Sequence, residues 1–319
     1  MTSTQIINSK DLKRRFVKDN NLPITVFDEP YFMERLKTMD CLFSCVEKWN
    51  VFCQELEGFN SAEDYFAYYN NIKDTAITHI QTNPAFIAFG ETVMPKSDKS
   101  YPRTNLYSEN NWWKRFISID MRRANYNSLS LYNPAIFDEA NSWEGFMEQF
   151  TSMKHILNSK YIRQVIMGAC NPKRQIQYET WLMQTLYEFI KNQVPGVELF
   201  SLNVDEIILV HPVEYQDIET AELMVERIQS ALDRHVVGKR TKMSEFTLEP
   251  LAHYGYVKTD YRTPETFEFK CVDAETFHQH LKLYRDETIT ENDLVFYHNG
   301  ELARFLNPIP NYLNPIASS

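Results

Sequence analysis

The run Phe116-Ile117-Ser118-Ile119-Asp120, read together with residues 201–210 (SLNVDEIILV), decides how this chain folds. The first run is a short β-prone segment that ends on an acid. The second begins 81 residues after Asp120 and is apolar on both sides of Asp205-Glu206. A hairpin turn at that place would ordinarily carry Asn-Gly or Asp-Gly. Local propensity and sequence therefore disagree at the acidic pair, and such conflicts mark functional positions. Asp120 and Asp205 stand 85 residues apart.

Working outward, residues 142–157 and 174–192 have helical periodicity, the second placing Ile176, Leu182, Leu186, Phe189 and Ile190 on one side. Between them lies a Gly-containing turn, Met167-Gly168-Ala169-Cys170-Asn171-Pro172. From Lys154 to Arg174 there are five positive charges (Lys154, Lys160, Arg163, Lys173, Arg174) and no acid. Pro195-Gly196 breaks the chain before the acidic hairpin, and residues 217–236 form another amphipathic helix. Beyond about residue 245 strands dominate: LAHYGYVKTDY, TFEFKCV, and a closing hairpin LVFYHNGELARFL with Asn299-Gly300 as a type I′ turn.

The N-terminal part has another character. Residues 30–56 carry Phe32, Leu36, Met39, Phe43, Val46 and Phe52 at mostly helical spacing, which predicts a helix. Asn60-Ser61 offers an N-cap for a second helix to about Gln81, and residues 90–111 read as a long polar loop. The expectation is an α+β chain with a small antiparallel sheet covered by helices. Its parts are a helical N-terminal region over 1–110, a core over 111–285, and a C-terminal β-hairpin and tail over 286–319.

Composition narrows the function classes. Among 319 residues, 43% are apolar and 14% aromatic, which excludes intrinsic disorder. No apolar stretch reaches 18 residues and the first 20 residues lack an apolar core, so neither a membrane span nor a secretory signal is expected. Five cysteines, odd in number and unevenly spread, read as free thiols of a reducing cytoplasm. The formal charge of −10 argues at first against nucleic acid. It is, however, an average over an acidic body and four basic islands: +3 in 1–15, +3 in 111–124, +5 in 154–174 and +3 in 233–242. Three of these flank the acids singled out above.

Phosphoryl transfer onto a 3′-hydroxyl is served by two divalent cations about 4 Å apart, held by carboxylates on rigid backbone. Mg²⁺ takes few protein carboxylates and fills its shell with water and substrate phosphates. One acid at a strand end and one or two at the tip of an adjacent hairpin meet that need. The order strand-acid, helix, basic Gly turn, helix, hairpin-acids, helix, strands resembles the palm domain of right-handed template-dependent polymerases, in the layout of reverse transcriptases and viral RNA polymerases. FISIDMRRANYNSL is similar to their motif A, IMGACNPKRQIQYETWLMQTL to motif B, and SLNVDEIILV to motif C with Asp-Glu for the usual Asp-Asp. The resemblance covers about residues 112–260. A weaker echo, Lys154-x-x-x-Asn158-Ser159-x-Tyr161, matches a family B DNA polymerase helix motif without its following Gly.

The resemblance implies a nucleotidyltransferase that uses Mg²⁺ or Mn²⁺, with nucleoside triphosphates and a nucleic-acid primer or template as partners. Asp120 and Asp205 would ligate the metals with the Met121 carbonyl assisting, and Glu206 would be a further ligand or a primer contact. Asn125, or Tyr126 after a one-residue shift, would face the ribose. Gly168, Lys173 and Arg174 would line the template and nucleotide pocket. Apart from the resemblance, Arg122-Arg123, Lys114-Arg115 and Lys239-Arg240-Lys242 are candidates to meet triphosphate or template backbone, with solvated surface charge the alternative for at least half of them. Lys258 is a candidate general acid to the pyrophosphate leaving group. There is no room for an exonuclease or a large thumb, so dependence on a larger replication or transcription assembly is expected. A virus or phage is the kind of source that encodes such a minimal palm. Two alternatives stay open: another palm-fold enzyme, such as a nucleotide cyclase or template-independent transferase, and a degenerate palm serving in binding or assembly. His278-x-His280 has the spacing of one strand face but no third ligand, and no P-loop or Rossmann glycine motif occurs.

Overall fold

The computed structural model describes residues 9–251 and 255–309. Its centre is a six-stranded antiparallel sheet of β1 (Arg115–Met121), β2 (Leu199–Leu202), β3 (Glu206–Val210), β4 (Thr241–Leu251), β5 (Gly255–Asp260) and β6 (Phe267–Lys270), in the order β2-β3-β1-β4-β5-β6. Ahead of β1 come α1 (Lys10–Asp19), α2 (Tyr31–Phe43), α3 (Cys45–Leu56), α4 (Ala62–Thr82) and α5 (Pro84–Glu91). Between β1 and β2 run α6 (Ala124–Tyr132), α7 (Trp143–Met147), α8 (Lys154–Leu157), α9 (Lys160–Gly168) and α10 (Pro172–Gln193). Helix α11 (Ile218–Arg234) links β3 to β4, and α12 (Phe277–Tyr284) follows the sheet. A separate hairpin of β7 (Val295–His298) and β8 (Glu301–Arg304) closes the described chain. The first four strands and their crossovers make a β-α-β-β-α-β unit in which β3 inserts between β1 and β2.

The α+β class expected from sequence is therefore present. Strand alternation gives the sheet two faces. Ile117, Ile119, Met121, Ile207 and Leu209 point into the main core, which also holds the apolar stripes of α1–α5 and of α9–α11. One apolar cluster thus runs through both the N-terminal helices and the sheet's inner face. On the outer face Phe116, Ile208, Phe246, Leu248 and Tyr256 form a smaller cluster, covered in part by Leu106, Tyr107 and Trp112. The covering segment is fastened to the sheet: the Leu202 amide donates to the Pro102 carbonyl at 2.9 Å, and the Trp113 amide to the Leu248 carbonyl at 2.7 Å.

Local capping explains where several helices begin. The Ser61 hydroxyl accepts from the Asp64 amide at 3.1 Å and starts α4 as its position predicts. The helix expected over 30–56 is instead two, because Ser44 adopts a left-handed conformation (φ 47°, ψ 43°) that ends α2 and begins α3. The helix expected over 142–157 is likewise broken into α7 and α8, and α9 fills part of what reads as loop. In α10 the buried stripe is Tyr178, Leu182, Met183, Leu186 and Ile190, whereas Ile176 faces solvent. His278 and His280 lie on α12, not on a strand; His278 is buried with its Nε2 2.7 Å from the Asp293 carbonyl oxygen, and its pKa is lowered to about 3, chiefly by burial. Residues 252–254, inside the expected strand 251–261, and 310–319, in the expected tail, lie outside the described residues. Asn299 (φ 50°) and Gly300 (φ 86°) both take the left-handed conformations that a type I′ turn requires.

Candidate active site

Sheet register assembles the site. In the β1–β3 ladder Asp120 is the partner of Glu206, and in the β1–β4 ladder it is the partner of Lys242. Leu248 pairs with Lys258, and Lys258 with Glu268. Side chains directly opposite in a ladder share a face. Asp120, Glu206, Lys242, Lys258 and Glu268 therefore all project from the outer face, continuing the rows that begin with Phe116 and Phe246. The Met121 amide donates to the Asp205 carbonyl at 2.8 Å, which ties the end of β1 to the β2–β3 turn.

The electrostatics follow from this crowding. The Asp120 carboxyl is pushed up to about 6, first by loss of water around the ionised form and then by the charges of Asp205 and Glu206. Lys258 and Lys160 act in the opposite sense. Glu206 is held from the side, its Oε1 accepting from the Ser118 hydroxyl at 2.5 Å. Lys258 lies over the Phe246 ring, 4.2 Å from its centroid, and its pKa is lowered mainly by burial, against the pull of Glu206, Glu268 and Asp120. Burial works to raise the Glu268 carboxyl, but Lys270, 2.5 Å away, together with Lys258 and Lys242, holds it below the usual range.

Two concavities are lined by residues of the segment that follows β1. One, of about 270 Å³, is lined by Asn125, Gln164, Gly168, Gln175, Ile176 and Glu179 among others. Here the helix after β1 meets the turn between α9 and α10. Glu179 is only 6% exposed; burial, and less strongly Asp205, raise its carboxyl to about 7, although the Ser128 hydroxyl donates to it at 3.2 Å. The second, of about 510 Å³, brings Arg122 and Arg123 together with Lys239 and Arg240.

The structure separates the remaining expected residues. Gly168 is the last residue of α9, and an added Cβ there meets nothing within 4 Å. The left-handed residue of that turn is Asn171 (φ 53°), and Pro172 opens α10 behind it. The buried Gln175 amide holds the turn by donating to the Met167 carbonyl at 3.2 Å. Lys173 is exposed at the start of α10. Arg174 turns away towards α5, its Nε donating to the Phe89 carbonyl at 2.6 Å. Tyr126 is buried against Phe137, and its hydroxyl donates to the Ala140 carbonyl at 2.6 Å; Asn125 stays at the cavity wall. Lys160 and Lys242, expected only as members of basic stretches, lie close to Asp120, and Glu268 and Ser118, for which the sequence suggests no role, join them. Glu179 also went unnoticed. The available signal was an acid beside Tyr178 in the apolar stripe of α10.

The donor set is one of hard oxygens that repel one another, which suits a hard divalent cation. Among the described residues, however, no three His, Cys, Asp or Glu side chains gather in an arrangement that could hold a metal ion. Asp120, Asp205 and Glu206 form a charge cluster at an open sheet end and not a closed cage. Among the described residues no helix is long and apolar enough to cross a membrane. No family model, curated protein or solved structure matches the chain.

Proposed function

We propose that the chain is a nucleotidyltransferase, adding nucleotides to the 3′-hydroxyl of a nucleic-acid strand, in which Asp120, Asp205 and Glu206 would meet Mg²⁺ or Mn²⁺ brought with the nucleotide's phosphates, since the three carboxylates by themselves do not gather into a metal cage. One observation carries this reading. Three carboxylates, from β1, β3 and the β2–β3 turn, are crowded so that burial first, and the charges of Asp205 and Glu206 next, raise the Asp120 carboxyl to about 6. Negative charge concentrated on rigid backbone is unfavourable alone and is relieved by a cation. The order of elements along the chain agrees with the palm-like order of the motifs.

When bound, the cation would polarise a phosphoryl oxygen and offset the charge that accumulates on it. The chain's own groups would do the rest. The Ser118 hydroxyl orients Glu206, and the amide of Met121 fixes Asp205 against β1. Lys258, close to Asp120 and Glu206 and partly withdrawn from water, carries a proton suited to a departing pyrophosphate. Asn125 and Glu179 would contact the sugar or base from the smaller cavity.

A second reading, a palm-like subunit that binds without catalysis, is favoured by the lack of a three-ligand gathering among the described residues. Primer extension separates the two, with Mg²⁺ or Mn²⁺, with and without template, on wild type, Asp120→Ala and Asp205→Ala. The expected result is incorporation by wild type and a loss of more than about 100-fold in each variant, beyond what removing a supporting group at a metal centre causes. No incorporation under any nucleotide mixture would leave the binding reading. Incorporation untouched by either substitution would remove Asp120 and Asp205 from the site.

A further inference from the structure

Directly past Asp120 the chain carries Arg122-Arg123, and directly before β4 it carries Lys239-Arg240. These pairs are 117 residues apart in sequence, yet the Arg122 amide donates to the Arg240 carbonyl at 3.0 Å. The four side chains, with Asn127 and Ser142, line the concavity of about 510 Å³, and no carboxylate is among its lining residues. Arg122, Arg123 and Lys239 are exposed and Arg240 half-buried. Glu144 pairs with Arg123 and offsets one of the charges. A further guanidinium adds to the excess: the Arg163 charge is disfavoured first by burial and then by Arg123, with Glu144 acting against both, and its Nε is buried without a hydrogen-bond partner among the described residues. In a chain of net charge −10, such a concentration of cations around one polar hollow is held together against its own repulsion.

We infer that this hollow is a phosphoanion site, which takes the phosphates of a nucleic-acid strand or the polyphosphate of a nucleotide without needing a metal. Guanidinium groups suit it because their planar forks match phosphate oxygens two at a time, and Lys239 adds a mobile point charge. Asn127 and Ser142 supply neutral polar atoms that accommodate ester oxygens. The proposal rests on the nucleotidyltransferase reading only for what the phosphate belongs to. The hollow itself is defined by its cations.

The test uses the full chain with EDTA throughout, so that failure of the metal-dependent reading leaves it unaffected. Binding of a fluorescein-labelled 12-nucleotide single strand is followed by anisotropy across a salt series, with tripolyphosphate as competitor. For the double variant Arg122→Gln/Lys239→Gln, affinity for the bound probe falls at least tenfold. If the strand is that probe, its logarithmic salt slope also falls by about 1.4, the value for two lost contacts on a single strand. The charge-conserving Arg122→Lys/Lys239→Arg variant retains most of the affinity, separating lost charge from lost fold. Strand binding that tripolyphosphate does not displace assigns the hollow to backbone phosphates. Tripolyphosphate binding alone, lost in the same double variant, assigns it to the nucleotide. Equal affinity in wild type and double variant, or no binding of either probe, overturns the inference.

Discussion

Asp120 stands directly across the β1–β3 ladder from Glu206, and the backbone of the next residue, Met121, is hydrogen-bonded to Asp205. Two acids distant in sequence are thereby fixed by main-chain geometry, not by flexible side chains. The charge of Asp120 is raised in energy by neighbours that cannot move away.

This arrangement has a titration signature. Carbon-detected NMR of the Asp120 carboxyl is expected to give a midpoint near 6, and Asp205→Asn or Glu206→Gln should each lower it. Because the folded value lies above the unfolded one, Asp120 favours the folded state at low pH. That contribution is lost as pH rises from about 4 to about 6. Asp120 keeps contact with water, which screens the repulsion, so Asp120→Asn should stabilise the protein at pH 8 by only about 1 kcal/mol. A midpoint near 4 in wild type would contradict the crowding.

Glu179 gives a larger effect because it is buried. Its carboxyl is neutral below about 7, and its stabilising contribution is present at pH 5 and lost as pH rises through about 7. Urea unfolding of wild type at pH 5.5 and 8.5 should differ from that of Glu179→Gln by about 2–3 kcal/mol, the variant being the less pH-sensitive. Parallel profiles in the two proteins would place Glu179 in solvent.

Asp19 is the point on which the N-terminal helices hold the helical layer. Its carboxylate accepts from the Tyr69 and Ser159 hydroxyls, both at 2.8 Å, and meets His155 Nε2 at 2.8 Å, all buried. Asp19→Ala leaves three polar groups without that partner and should cost about 3–5 kcal/mol in urea unfolding. Ser159 also caps α9, so the loss would loosen the helix that carries Lys160 and Arg163. A cost under about 1 kcal/mol would show that the network can be replaced by water.

Gly238 controls the entry to β4. An added Cβ would lie 2.3 Å from the Leu232 carbonyl oxygen and 2.7 Å from the Leu232 Cα, both backbone atoms of α11. Gly238→Ala should destabilise by about 1–3 kcal/mol and, by displacing Lys239 and Arg240, weaken phosphoanion binding in the anisotropy assay. Wild-type stability in this variant would mean that α11 yields at no cost.

How much was legible beforehand differs by element. FISID and SLNVDEIILV read correctly as strands because alternation and β-branched content leave little else for short apolar runs to be. Ser61 and Asn299-Gly300 read correctly because caps and type I′ turns depend on a few neighbouring atoms. The break at Ser44 was not legible, since hydrophobic spacing continues across a single left-handed residue, and the six-residue gap over 148–153 was not legible because apolar residues recur through it at helical spacing. The histidines of α12 misled for a related reason: two residues separated by one fit a strand face, but burial against Asp293 settles a helix. Arg174 read as one more cation of a basic stretch, and only packing shows that it turns to Phe89.

By itself, the sequence determined the α+β class, the strand that carries Asp120 (though it runs one residue further, to Met121), the acidic hairpin and the existence of basic islands, because each depends on residues within a few positions of one another. Only the tertiary structure decided that Asp120 faces Glu206 and that Lys242 and Lys258 share their face. It alone decided that Glu179 is buried near Asp205, and that Arg122-Arg123 and Lys239-Arg240 border one hollow. Those relations are set by strand order and register. Inserting β3 between β1 and β2 is a choice among long-range pairings that no local propensity encodes.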